Sequence, residues 1–122
     1  MQSFKLSTEL ASLGDLTPYK ALIESFDQKY LVGLTKIGSV QAGFREQHHA
    51  GDELLIVLSG KATFICQHEG KTERVSVTGG EVLFVPKDSI HTAESIEEEL
   101  HILFLTPNRD NASWVETASL PN

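Results

Sequence analysis

The strongest constraint on this chain is Leu54-Leu55-Ile56-Val57-Leu58, a segment that is apolar at odd and even positions alike. Side chains of a strand alternate between faces, so such a strand must be covered on both sides. Similar segments surround it. Tyr30 to Ile37 is rich in β-formers and stops at Gly38-Ser39, while Lys61 to His68 and Thr72 to Val77 flank Glu69-Gly70-Lys71, a short hairpin connection. Thr78-Gly79-Gly80 punctuates; Glu81 to Val85 follows and is stopped by Pro86; His101 to Leu105 ends at Thr106-Pro107-Asn108. Short strands separated by turn chemistry, about ten residues apart, predict an all-β sandwich or barrel.

The ends are less regular. Thr17-Pro18 predicts a short helix entry, with Thr17 as cap and Pro18 at the first helical position. The tail from Asn108 to Asn122 has little periodicity, and Trp114 is expected to anchor part of it. A length of 122 residues predicts one domain, residues 1–122, able to bury roughly two-thirds of its unfolded surface. No segment is long and charge-free enough to span a membrane, and no basic region followed by an apolar stretch opens the chain. The lone Cys66 rules out an internal disulfide and suits a reducing cytoplasm, with a small buried side chain as its expected role. A formal net charge of -7 argues against nucleic acid as a partner. Glu94, Glu97, Glu98 and Glu99 are expected in a solvated turn.

Chemistry concentrates in Gln47-His48-His49-Ala50-Gly51-Asp52-Glu53, answered by His91. On a strand, Gln47 and His49 point one way and His48 the other, which predicts a surface or interface role for His48. Gln47, His49 and Glu53 are then expected to converge, with His91 delivered by tertiary folding. A buried Glu53 without a cation is costly, so either a metal or a raised pKa is expected there. The plain alternative is a pair of barrel-lining histidines held by hydrogen bonds. Arg45 shares parity with Gln47 and His49, which places it to clamp a substrate carboxylate or phosphate; otherwise it is a solvated strand-end arginine.

These residues resemble the cupin superfamily. Its first motif, His-x-His, three or four residues, Glu, six residues, Gly, is matched by Gln47-His48-His49, Glu53 and Gly60, except that Gln47 replaces the first histidine. Its second motif is matched by Gly80, Pro86 and His91, with Asp88 for a glycine and Ser95 for an asparagine. Asp88 suits that position because Asp enters left-handed turns readily. The motifs cover residues 41–95, and Glu98 to Phe104 looks like small cupins of the sugar-phosphate-isomerase-like kind.

The resemblance implies a double-stranded β-helix, or jelly-roll barrel, with a short N-terminal helical segment. It also implies a divalent metal (iron, manganese, nickel or zinc) held by His49, Glu53 and His91, with Gln47 as a weak fourth ligand or as a partner behind the ligands. Two histidines and a carboxylate have the composition of the non-haem iron triad. The implied activity is an oxygenase- or isomerase-type reaction on a small organic substrate. The alternative is a non-catalytic sensing module that binds a small molecule and has a weakened or absent metal site. The outer side of the doubly apolar strand, Leu54, Ile56 and Leu58, needs cover from the N-terminal segment or from another subunit, and a homodimer is expected.

Overall fold

The computed structural model describes residues 1–117. It is an all-β molecule with one short helix, built as a single curled antiparallel sheet. The helix α1 (Leu6–Ala11) precedes β1 (Tyr19–Phe26), β2 (Tyr30–Ile37), β3 (Phe44–His48), β4 (Glu53–His68), β5 (Lys71–Thr78), β6 (Val82–Val85), β7 (Ile90–Pro107) and β8 (Asn111–Val115). This is the jelly-roll barrel anticipated above. The Glu69-Gly70 connection is a two-residue hairpin turn, with positive φ of 52° and 78° at its two residues, and it pairs His68 with Lys71.

The long strand β7 organises the sheet. Its first residues lie between β3 and β4, pairing His91 with both Glu46 and Cys66. Its last residues lie between β2 and the other half of β4. The bend in β4 falls around Gly60, at φ 101°, where the register with β7 shifts repeatedly. One face of the sheet turns inward, and Leu55, Val57, Phe64, Ile102 and Phe104 belong to its buried core. On the outer face, register aligns Val32, Leu105, Leu54 and Phe84 in one row and Leu34, Leu103, Ile56 and Val82 in the next. The double coverage predicted for Leu54 to Leu58 therefore has a physical source: both faces of this region are apolar.

Three expectations need correction. The helix does not begin at Thr17. It lies at Leu6–Ala11 against β2, and Thr17 closes a small bridge with Gly14 before Pro18 leads into β1. The residue before a proline is driven out of helical geometry, so Thr17-Pro18 serves equally well as a strand entry. Second, Glu94 and Glu97 to Glu99 are not in a turn; they lie within β7, where all four are exposed to solvent as expected. Third, Cys66 is half-buried rather than a core residue. Trp114 lies in β8, paired with Arg45 of β3; the last part of the tail, residues 118–122, falls outside the described residues. Among the described residues no helix is long and apolar enough to cross a membrane.

Candidate metal and ligand site

Strand β3 carries Phe44, Glu46 and His48 on one parity and Arg45 and Gln47 on the other. The first parity faces inward. Phe44 and Glu46 line a cavity of about 680 Å³ inside the barrel, and His48 is buried beside it. His91 reaches the same place from β7 and Glu53 from the start of β4; both are buried and both line the cavity. Ligand atoms of Glu46, His48 and His91 all lie within 4.8 Å of one another, a cluster able to hold a metal ion. Glu53 sits between the imidazoles: His91 Nε2 is 3.1 Å from its Oε1, and His48 Nε2 is 3.3 Å from its Oε2.

The surroundings set which nitrogen faces the centre. The Asn111 amide donates through Nδ2 to the Pro107 carbonyl at 2.7 Å, so its Oδ1 accepts from His48 Nδ1 at 2.8 Å. The Ser89 carbonyl accepts from His91 Nδ1 at 3.2 Å. With both Nδ1 atoms acting as donors, both Nε2 atoms are directed at the carboxylates. Thr106 donates to Glu53 Oε2 at 2.6 Å and fixes its orientation.

Charge follows from this packing. Burial pushes the Glu53 carboxyl up, but its contacts with His48 and His91 prevail and hold it at about 2. Burial pushes His48 down, and its contacts with Glu53, Asn111 and Glu46 outweigh that and raise it above 6.5. Glu46 is raised by burial and by the nearby Glu53 charge. His48 Nε2 is nonetheless buried without an aligned hydrogen-bond partner. An imidazole nitrogen left over in this way, facing two carboxylates and a second imidazole, fits a divalent transition metal by donor chemistry.

The predicted site residues divide. Glu53 and His91 come together as expected. Gln47 and His49 do not join them: the Gln47 amide donates to the Asp88 carbonyl at 2.8 Å, and His49 Nδ1 lies 2.8 Å from Asp88 Oδ1. Both side chains brace the turn that leads into His91. Asp88 occupies that turn at φ 67°, the left-handed geometry anticipated for it. His48, expected at the surface, is 4% exposed and belongs to the cluster, together with Glu46, which the parity argument passed over. Arg45 lies on the outer parity, with Nε 3.8 Å from a Glu116 carboxylate oxygen, and does not line the barrel cavity. The signal that marks the inward parity is Phe44. Phe44, Glu46 and His48 alternate with the wholly polar set Arg45, Gln47 and His49, and an apolar strand residue marks the core face. Glu46-x-His48 with four residues before Glu53 also satisfies the spacing of the motif.

The AraC-like ligand binding domain model matches residues 32–116, so the chain belongs to that family, within the cupin superfamily. No protein of curated function matches the sequence. Among solved structures, protein NMB1881 from Neisseria meningitidis superposes with a TM-score of 0.65 at 17% identity, covering 87% of this chain and 99% of that one. A cupin-2 domain containing protein from Shewanella frigidimarina gives 0.57 at 18% identity, covering 85% and 93%. Bacillus subtilis oxalate decarboxylase OxdC gives 0.52 at 20% identity; the match covers 71% of this chain but only 24% of the enzyme. At these identities the likeness defines the fold alone.

Proposed function

We propose that this protein holds a divalent transition metal through Glu46, His48 and His91, with Glu53 as an adjoining carboxylate, and acts on a small organic molecule received in the barrel cavity. The observation that carries the proposal is the buried His48 Nε2, left without an aligned partner while its Nδ1 is committed to Asn111. When bound, the metal supplies Lewis acidity and open positions for oxygen donors, the chemistry of oxygenase-type sites with two histidines and a carboxylate. The chain's own residues do the rest. Asn111 and Ser89 orient the imidazoles, Thr106 orients Glu53, and the apolar walls exclude water around the bound molecule.

Cobalt(II) titration followed by visible absorbance tests the ligand set. The wild-type protein and His49→Ala are expected to bind alike, and His48→Ala and His91→Ala to lose binding; loss in His49→Ala with retention in His48→Ala refutes the assignment. The second reading, ligand sensing without turnover, is favoured by membership of a ligand binding domain family. It predicts ligand-dependent thermal stabilisation of the metal-free protein and no metal-dependent consumption of the ligand.

The apolar outer face supports a homodimer. Val82 and Phe84 are 56% and 57% exposed, next to Leu54 and Ile56 on β4. Leu54, Ile56, Val82 and Phe84 carry no charge, whereas the chain as a whole carries -7; farther along, Leu34 is already buried and Lys20 ends its row. Two copies can therefore meet there, apolar face on apolar face, without apposing their acidic surfaces.

A further inference from the structure

The cavity wall has a chemistry narrower than the proposed function requires. Its sides are built from Ile37, Phe44, Leu55, Phe64, Ile102 and Phe104. Among the described residues no lysine or arginine lines it; Arg45, expected as an anion clamp, lies beside Glu116 and lines a smaller adjoining pocket that shares Val40, Gln41, Phe44, Thr92 and Ala93 with this wall. Of the wall hydroxyls, Thr35 donates to the Pro18 carbonyl at 2.9 Å and Thr106 to Glu53 at 2.6 Å, the buried Thr92 has only a 3.5 Å contact with the Ala93 carbonyl, and Ser113 is exposed. Tyr19, Ser39 and Gln41 are exposed and line only the rim. At the floor, the two carboxylates Glu46 and Glu53 match the formal charge of a divalent cation, which leaves no surplus positive charge for a dianion.

From this wall, and resting on the metal-site reading above, we infer that the ligand is an apolar-bodied molecule, aromatic or branched aliphatic, with a single oxygen-donor head group directed at the metal. Sugars and phosphate esters are outside its class. A sugar ring brings many hydroxyl groups that need partners in a buried site, and walls dominated by phenylalanine, leucine and isoleucine, with Thr92 as the loosely held buried hydroxyl, supply too few. A phosphate monoester brings a second negative charge to a floor already balanced. A flat apolar body instead buries its surface against Phe44, Phe64 and Phe104, with ring-to-ring contact added. This separates the chain from the sugar-phosphate-isomerase-like cupins that Glu98 to Phe104 resembles.

The test compares two carboxylates that differ in body, together with one sugar phosphate. Calorimetric titration of the cobalt-loaded protein is expected to give 3-phenylpropanoate an affinity roughly tenfold or more above that of gluconate, with D-glucose 6-phosphate no tighter than gluconate. Ile37→Asp, a half-buried wall position away from the metal cluster, is expected to erase the preference and leave cobalt(II) affinity unchanged. Gluconate or glucose 6-phosphate binding as tightly as 3-phenylpropanoate overturns the inference, as does an Ile37→Asp protein that keeps the preference. A failure of the metal reading is told apart by the metal-free protein and the neutral fluorophore N-phenyl-1-naphthylamine. If cobalt(II) does not bind but the fluorophore brightens with wild type and not with Ile37→Asp, the wall chemistry stands and the metal assignment falls. If it brightens with neither protein, the wall inference falls whatever the metal does.

Discussion

At the scale of single residues, the account rests on two nitrogen atoms whose direction is set by their neighbours. Asn111 is not part of the Glu46, His48 and His91 cluster, yet its amide commits His48 Nδ1 and so presents Nε2 to the centre. Replacing it by leucine should lower metal affinity by roughly 10–100-fold while leaving the fold intact, as read by competition with a metal-responsive dye. Gln47→His, which would be a decisive repair if Gln47 were a ligand, should leave metal occupancy unchanged, because that side chain faces Asp88. The same centre gives the metal-free protein a pH signature. Glu53, lowered from 4.5 to about 2, contributes stability that is present above pH 4.5 and lost as pH falls toward 2. His48, raised above 6.5, contributes stability that is present below 6.5 and lost as pH rises through its raised value. Glu46, raised by burial, contributes stability that is present below pH 4.5 and lost as pH rises from there through its raised value, which offsets part of the Glu53 gain. Urea midpoints measured in chelator should therefore peak between pH 4.5 and 6.5, and added metal should offset the decline above that window.

At the scale of elements, the strands and hairpins were legible because each has a local cause: β-formers bounded by glycine, proline and turn residues. Gly60 is the test of that legibility. It sits at φ 101° where β4 bends, and a Cβ there would run into the backbone carbonyl of Glu99 on β7. Gly60→Ala should cost about 1–3 kcal/mol in denaturant unfolding, from the left-handed conformation together with the clash. The helix position and the acidic part of β7 were not legible. Thr17-Pro18 is compatible with a helix or a strand entry, and the glutamates of β7 are held in a strand by pairing with β4 that sequence distance conceals. The face of β3 was legible in principle. Parity counted from His49 puts Gln47 and His49 inward, whereas parity counted from Phe44 puts Glu46 and His48 there, the face on which the structure gathers the cluster that could hold a metal.

At the scale of the whole molecule, one curled sheet does two things: its inner face closes a cavity over a polar floor, and its outer face leaves an apolar patch. The patch was legible as a strand with no polar side, but what meets it depends on a second chain. Sedimentation of the wild type should give a dimer at micromolar concentration and Phe84→Glu a monomer of unchanged far-ultraviolet circular dichroism; a wild-type monomer removes the dimer. The inner face is the central matter. Donors on the barrel floor, Glu46, His48 and His91, form a cluster that could hold a metal ion. Elemental analysis of purified protein, reconstituted with iron(II) under anaerobic conditions and freed of loose metal, tests this most directly. The account predicts stoichiometric transition metal in the wild type and its loss in His91→Ala. A folded wild-type protein that retains none would contradict it.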